Sequence, residues 1–223
     1  MKSFLLGMVL AGVALISTGC VSTKNVAVPR GDASRLAEAR LAVSSRPMPD
    51  FADFKASNAM FGAAGGISSV FSGNDLVRKN QVPDPAVNMA DPLVAHCIET
   101  FKLQSVVTST RHQVDGTGVE KIAEPFAGQA DLLLDVQTVN WMCIYLPLNW
   151  ARYRVQYSVK VRLIDVSARK KIAEGFFVWQ TPKDNALSYD ELFNNGAAGF
   201  KDQLNQAVAE AITHFKANVL VAR

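Results

Sequence analysis

At 223 residues, 49% of them hydrophobic, the chain has enough material for one generous core or two small ones. A formal charge of +3, with Lys and Arg scattered along the chain, excludes the concentrated basic surface that nucleic-acid binding needs. Beyond the first residues no apolar run reaches the roughly 20 residues required to cross a bilayer as a helix.

The chain opens on a targeting signal. Lys2 supplies a positive start, Phe4 to Ile16 is almost wholly apolar, and the run ends in Ser17-Thr18-Gly19-Cys20. That is the charged, apolar and small-residue order of a secretory signal. It resembles a prolipoprotein lipobox, with Gly19 before the cut and Cys20 as the residue that takes lipid; Ser17 stands where such boxes usually carry Leu. Three segments are expected: a signal peptide over 1–19, a lipidated cysteine with its tether over 20–50, and a single periplasmic α/β domain over 51–223. Lipid on Cys20 would then hold to a membrane a body that sits in water. Val21 after the cysteine, in place of Asp, resembles the pattern that sorts lipoproteins to the outer membrane.

Within the tether, Val26 and Val28 suit one short strand, and Ala33 to Val43 reads as a short helical stretch. Ser44 to Pro49 is a polar, Pro-containing break. Ala59 to Ile67 is apolar and small-sided, with Gly62 and Gly66 one helical turn apart. It is too short to span a membrane, so it reads either as a tightly packed turn or helix contact, or as a surface touching lipid or a partner. Two Asp-Pro steps follow, Asp84-Pro85 and Asp91-Pro92, each a sound helix start. The second is expected to open a helix whose apolar face carries Leu93, Val94, Cys97, Ile98 and Phe101.

Ser105 to Thr110 is β-branched and predicts a strand, Gly116 to Gly118 a turn, and Val119 to Phe126 one short helix. Ala130 to Val136 starts a strand that continues to about Cys143. From Tyr153 to Leu163 apolar and polar residues alternate at period two, a strand with one buried face. Asp165 to Lys171 turns the chain, and Ile172 to Gln180 returns as a third strand of an antiparallel meander. Ser188 and Glu191 form a capping box that opens a long C-terminal helix, with Phe200, Leu204, Ala207, Val208, Ala211, Ile212, Phe215 and Val219 on one face. The expected fold is therefore α/β (α+β): a small mixed sheet whose C-terminal meander packs against helices.

Chemistry-bearing patterns are few. His96, His112 and His214 share no metal spacing, and no nucleophile elbow, Walker loop or dinucleotide glycine pattern occurs. Neither a catalytic residue, a metal nor a cofactor is expected. Asp131 and Asp135 lie on one strand face roughly 13 Å apart, and read as an Asp opening the strand and a salt-bridged or solvated Asp, with Arg152, Arg154 and Arg162 as available partners. Cys97 and Cys143 remain once Cys20 is assigned to lipid. A disulfide between them would close a loop of roughly 45 residues and add about 3–4 kcal/mol; the alternative is two buried, unbonded thiols. Trp141 to Trp150 joins two strands yet holds two Trp, one Tyr and four aliphatic residues. Trp141, Tyr145, Leu146 and Trp150 are therefore the candidate partner-binding residues, the other reading being a tip buried over the end of the core.

The element order, together with the lipobox, resembles small α/β domains of periplasmic lipoproteins: the amino-terminal domain of the Tol translocation protein, the curli-secretion lipoprotein and penicillin-binding-protein activators. Asp84-Pro85-Ala86, Ala130 to Asp135 and Tyr153 to Asp165 are also similar to a group of uncharacterised proteobacterial lipoproteins. The resemblance implies an adaptor or scaffold of the cell envelope and carries over no catalytic residue. The expectation is a non-catalytic, lipid-anchored protein on the periplasmic face of the outer membrane that binds an envelope protein. The alternative is a carrier sheltering a lipid or other apolar ligand between helix and sheet.

Overall fold

Asp131 accepts from the Arg40 backbone N–H at 2.8 Å and from its guanidinium at 3.1 Å, and so aligns two strands distant in the chain. These are β1 (Arg40–Val43) and β4 (Leu132–Leu146). The computed structural model describes residues 25–57, 62–106 and 112–223, without the side chains of 62–63 and 105–106. Cys20, Phe61 and positions 107–110 of the expected Ser105–Thr110 strand lie outside the described residues.

The expected meander is the centre of the sheet: β4, β5 (Asn149–Asp165) and β6 (Lys170–Gln180) run antiparallel in succession. On the other side β4 takes two parallel partners in turn. β1 pairs with Leu132–Leu134, and β2 (Phe51–Phe54) pairs with Trp141–Ile144. β3 (Ser105–Val106) lies parallel outside β1, giving the order β3-β1-β4-β5-β6 with β2 beside β4. Two expectations for the N-terminal segment need correction. Only α1 (Arg30–Ala33) and a single 3-10 turn over 34–36 are helical, and Arg40–Val43 is a strand within the part read as tether. Pairing on both sides, with Leu41 and Ala42 buried on opposite faces, overrides the local helical pattern. Val26 and Val28 make single bridges, to Glu174 and Ala222.

One sheet face is covered by α3 (Pro85–Phe101) and α5 (Tyr189–Asn218), which bury Met89, Leu93, Phe200 and Phe215 against Leu134, Tyr157, Val159 and Trp179. The Asp84 side chain caps α3 by accepting from the Ala86 N–H at 2.9 Å, so the helix starts at the first Asp-Pro step and not at Asp91; Pro92 lies inside it. The capping box at Ser188 and Glu191 is formed. The long helix is broken, however: Asn195, Gly196 and Ala197 have φ of 52°, 69° and 60°. Burial of both Leu192 and Phe200 fixes the chain on either side of this left-handed step.

α2 (Gly62–Lys79) covers the free edge of β2. Asn74 Oδ1 accepts from the Phe51 N–H at 2.8 Å, and a Cβ at Gly73 would come within 2.2 Å of the Phe51 carbonyl. Glycine at 73 therefore lets a helix seal an otherwise open strand edge. Gly66, by contrast, faces open space.

The second face carries a smaller cluster in which α4 (Val119–Ala123) and the 3-10 turn Glu124–Phe126 bury Ile122 and Phe126 over Leu133 and Ile164. Beside it Asp135 is wholly buried. It accepts from Arg46 Nε at 2.7 Å, Arg162 Nε at 2.8 Å and Ser44 Oγ at 2.6 Å. The two guanidiniums donate onward to the carbonyls of Val114, Gly116 and Thr117, holding the loop before α4. Arg162 was among the partners expected for Asp135; Arg46 was not.

The bridge between Cys97 and Cys143 is not formed, and both are free, buried thiols. The C-terminal end of α3, where Cys97 lies, reaches the start of β1 through a Glu38 N–H to Lys102 carbonyl bond. That end of β1 is in register with Leu132, whereas Cys143 sits towards the far end of β4 beside β2.

Burial pushes the Asp135 carboxyl up, but Arg46, Arg162 and Ser44 outweigh it and hold the group below the usual carboxylate range. A depressed folded-state value gives stability that is full above the ordinary carboxylate range and is lost as pH falls through the folded value. Asp135→Asn is expected to cost about 3–5 kcal/mol at neutral pH by leaving two buried cations unpaired. Urea unfolding at neutral pH against that near pH 3 checks this, the gap between parent and variant narrowing in acid.

Candidate partner-binding site

β4 shifts register between Thr138 and Asn140. Before the shift Leu132, Leu134, Val136 and Thr138 point to the helix-covered face; after it Trp141 and Cys143 do. This one extra residue carries Trp141 inward. It is wholly buried, its ring centroid 5.2 Å from Phe51 and 6.3 Å from Phe200, and its Nε1 donates to the Pro49 carbonyl at 3.0 Å. Trp141 is therefore a core residue, and its place among the partner-binding candidates is corrected.

The three remaining candidates stay together at the hairpin tip. Tyr145 and Leu146 are half-buried, while Trp150 is 67% exposed and Leu148, at the turn, 97% exposed. Trp150 is nonetheless held in place: its Nε1 donates to the Pro147 carbonyl at 2.6 Å, and its ring meets Tyr145 edge-on at 6.5 Å. Alongside runs an open crevice of about 420 Å³, lined by Leu146, Asn149, Arg152, Lys183, Asn185 and Leu187 among others. Its far wall is the segment after β6, which returns to β5 through a Tyr153–Leu187 bridge. Sequence reading missed this wall, because only the bridge turns the polar run 183–185 towards the tip. The Arg152 guanidinium, paired with Glu191 at 2.9 Å, ties the tip to the start of α5.

Beneath the tip lies a second polar cluster. Asp53 on β2 is wholly buried; its Oδ2 accepts from the Tyr189 hydroxyl at 2.7 Å and lies 3.4 Å from Lys55 Nζ, while Oδ1 has no hydrogen-bond partner. Lys55 also sits 4.5 Å over the Tyr189 ring. Burial raises the Asp53 carboxyl above its ordinary range, opposed by Tyr189 and Lys55. The thiols are poor nucleophiles in these surroundings. Burial pushes Cys97 up to about 12, and burial with the nearby Asp53 charge raises Cys143 well above the ordinary thiol range. Among the described residues no three His, Cys, Asp or Glu lie close enough to hold a metal ion. No helix among them is long and apolar enough to cross a membrane.

No protein-family model and no curated protein matches the chain. Among solved structures, the PelC dodecamer of Paraburkholderia phytofirmans aligns at 14% identity over 90% of this chain and 96% of that one, with a TM-score of 0.36. Protein XCC0632 of Xanthomonas campestris aligns at 12% identity over 87% and 93%, with a TM-score of 0.39. Lipoprotein GNA1162 of Neisseria meningitidis aligns at 13% identity over 79% and 99%, with a TM-score of 0.29. Likeness at this level assigns neither family nor function.

Two outcomes are expected from substitution here. Trp141→Ala loses about 3–5 kcal/mol of stability, whereas Trp150→Ala changes it by less than about 1 kcal/mol; chemical denaturation of both variants measures the difference. Because the Asp53 value is raised by folding, its contribution is present below the ordinary carboxylate range and is lost as pH rises through the folded value. Asp53→Asn removes that loss, so the urea midpoint of the variant falls less than that of the parent between about pH 4 and 7.

Proposed function

We propose that the protein is a non-catalytic adaptor of the bacterial cell envelope, anchored by lipid on Cys20 to the periplasmic face of the outer membrane, that binds a protein partner through its β4–β5 hairpin tip. The observation that carries this reading is the exposure of Leu148 and Trp150, at 97% and 67%, with the Trp150 ring held by its bond to the Pro147 carbonyl, at the end of a strand pair that the core holds fixed. Large apolar side chains displayed on a preorganised support are what a protein interface uses as anchors, since little conformational freedom is lost on docking. The adjoining crevice adds Arg152, Lys183 and backbone groups as polar rim.

A carrier of apolar ligands is less well supported. Between helix and sheet, the crevice bounded by Phe177 of β6 and Ala209, Thr213 and His214 of α5 is a shallow groove open to solvent, and the narrower one between α3 and α5, lined by Val82, Pro85, Leu204 and Val208 among others, holds about 30 Å³. Small-molecule sites usually offer about 300–1,000 Å³.

A photo-crosslinking residue at Leu148 in the full lipidated chain, activated in intact envelopes, tests the adaptor reading. One discrete protein adduct is expected, and Trp150→Ser should reduce it while leaving the unfolding midpoint unchanged. Adducts to lipid alone, or none from a folded protein, would falsify the tip as a protein-binding site.

A further inference from the structure

We propose that the β5–β6 half of the second sheet face, centred on Phe176 and Val178, lies against the anionic surface of the membrane that holds the lipid on Cys20. The inference rests on the lipid-anchored reading above and adds to it an orientation.

The first argument is where the described chain begins. Val26 exchanges two backbone hydrogen bonds with Glu174, at 2.7 and 3.0 Å, and Asn25 Oδ1 accepts from the Phe176 N–H at 3.2 Å. The chain is therefore pinned to the outer edge of β6 from Asn25 onward. Five chain steps separate Asn25 from Cys20, and five residues span at most about 18 Å however they are arranged. The β6 edge cannot lie further than that from the lipidated residue. The hairpin tip is not so constrained: β5 runs from Arg162, opposite Glu174, to Asn149, roughly 40 Å away at the usual rise per residue.

The second argument is the surface found there. β6 residues 173, 175, 177 and 179 turn towards α5, as the Gly175 contacts with Val219 and Phe215 and the Trp179 bond to Glu210 show. Residues 174, 176 and 178 then face the other way; the Glu174 side chain is largely covered, and the strip opens towards Val178. Val178 is 62% exposed, Val26 43%, and Phe176 half-buried between them. Lys160 lies directly across from Phe176, and Arg154 further along the same β5 face opposite Ile144. Neither cation has an ion-pair partner among the described residues, and Arg154 Nε is a buried donor without an acceptor. The carboxylates in this register are already engaged, Glu174 by Lys171 at 2.6 Å and Asp135 by Arg46 and Arg162. An apolar strip beside uncompensated cations is complementary to an anionic lipid interface. Shallow burial of Val and Phe and phosphate pairing by Lys and Arg reinforce one another there.

The test uses the full lipidated chain in vesicles of equal parts phosphatidylcholine and phosphatidylglycerol, compared with phosphatidylcholine alone. An environment-sensitive dye is placed on Val178→Cys and, as the control on the opposite side of the molecule, on Val87→Cys of α3; the native Cys97 and Cys143 are buried and Cys20 is blocked by lipid. The dye at 178 is expected to shift to the blue on the anionic vesicles and to be quenched by bromine-labelled acyl chains, while the dye at 87 stays in water. Lys160→Gln with Arg154→Gln should shift the balance between docked and free bodies by about 30-fold, at about five-fold for each cation. Mass measurement of the Cys20 peptide separates the two readings. If Cys20 carries lipid and the dye at 178 remains in water, the orientation is wrong and the anchor stands. A blue shift without quenching by lipid means that protein covers this face, which also overturns the proposal. An unmodified Cys20 removes the tether and both readings with it.

Discussion

Asp135 is shut away from water between two guanidiniums, and the second face of the sheet is organised by that fact. A carboxylate in this position is tolerable only if it is paired and its remaining lone pairs are filled. Arg46, Arg162 and Ser44 do this, and their own spare donors reach the carbonyls of 114–117. The end of β1, the middle of β5 and the loop before α4 are thereby joined through one residue of β4. Hydrophobic burial supplies most of the stabilisation of such a domain, but it is non-directional. The ionic cluster selects which register and which loop position accompany it.

β4 is the second organising element, because it serves three partners. Its first turns pair with β1, its later ones with β2, and all of it with β5. The register shift after Thr138 divides those roles. It turns Trp141 and Cys143 towards the helices. Sealing of β2 by α2, made possible by Gly73, removes one open edge; β6 keeps its own edge partly closed with Val26 and Asn25.

These features give the molecule two unlike surfaces. The tip shows Leu148 and Trp150, the latter held by its bond to the Pro147 carbonyl. The face beside β6 is broader, mildly apolar and cationic, and lies within reach of Cys20. The anchored adaptor proposed above would use both, one to set its attitude on the membrane and the other to project a contact from it.

Local rules were sufficient for much of this. The alternation from Tyr153 to Leu163, the Ser188 capping box, the Asp84-Pro85 helix start and the apolar face of α5 each express a period or a cap written in neighbouring residues, and each is present. What depended on distant parts of the chain was not legible. Arg40–Val43 is a strand because β3 and β4 flank it, the Pro92 step lies inside a helix that Asp84 has already started, and α5 breaks at 194–197 because Leu192 and Phe200 are both held in the core. The candidate site divides in the same way. Its composition marked the 141–150 segment, but parity along a strand is conserved only while the register is: a single shifted residue turned Trp141 into the core, while Trp150, past the turn on β5, stays at the surface.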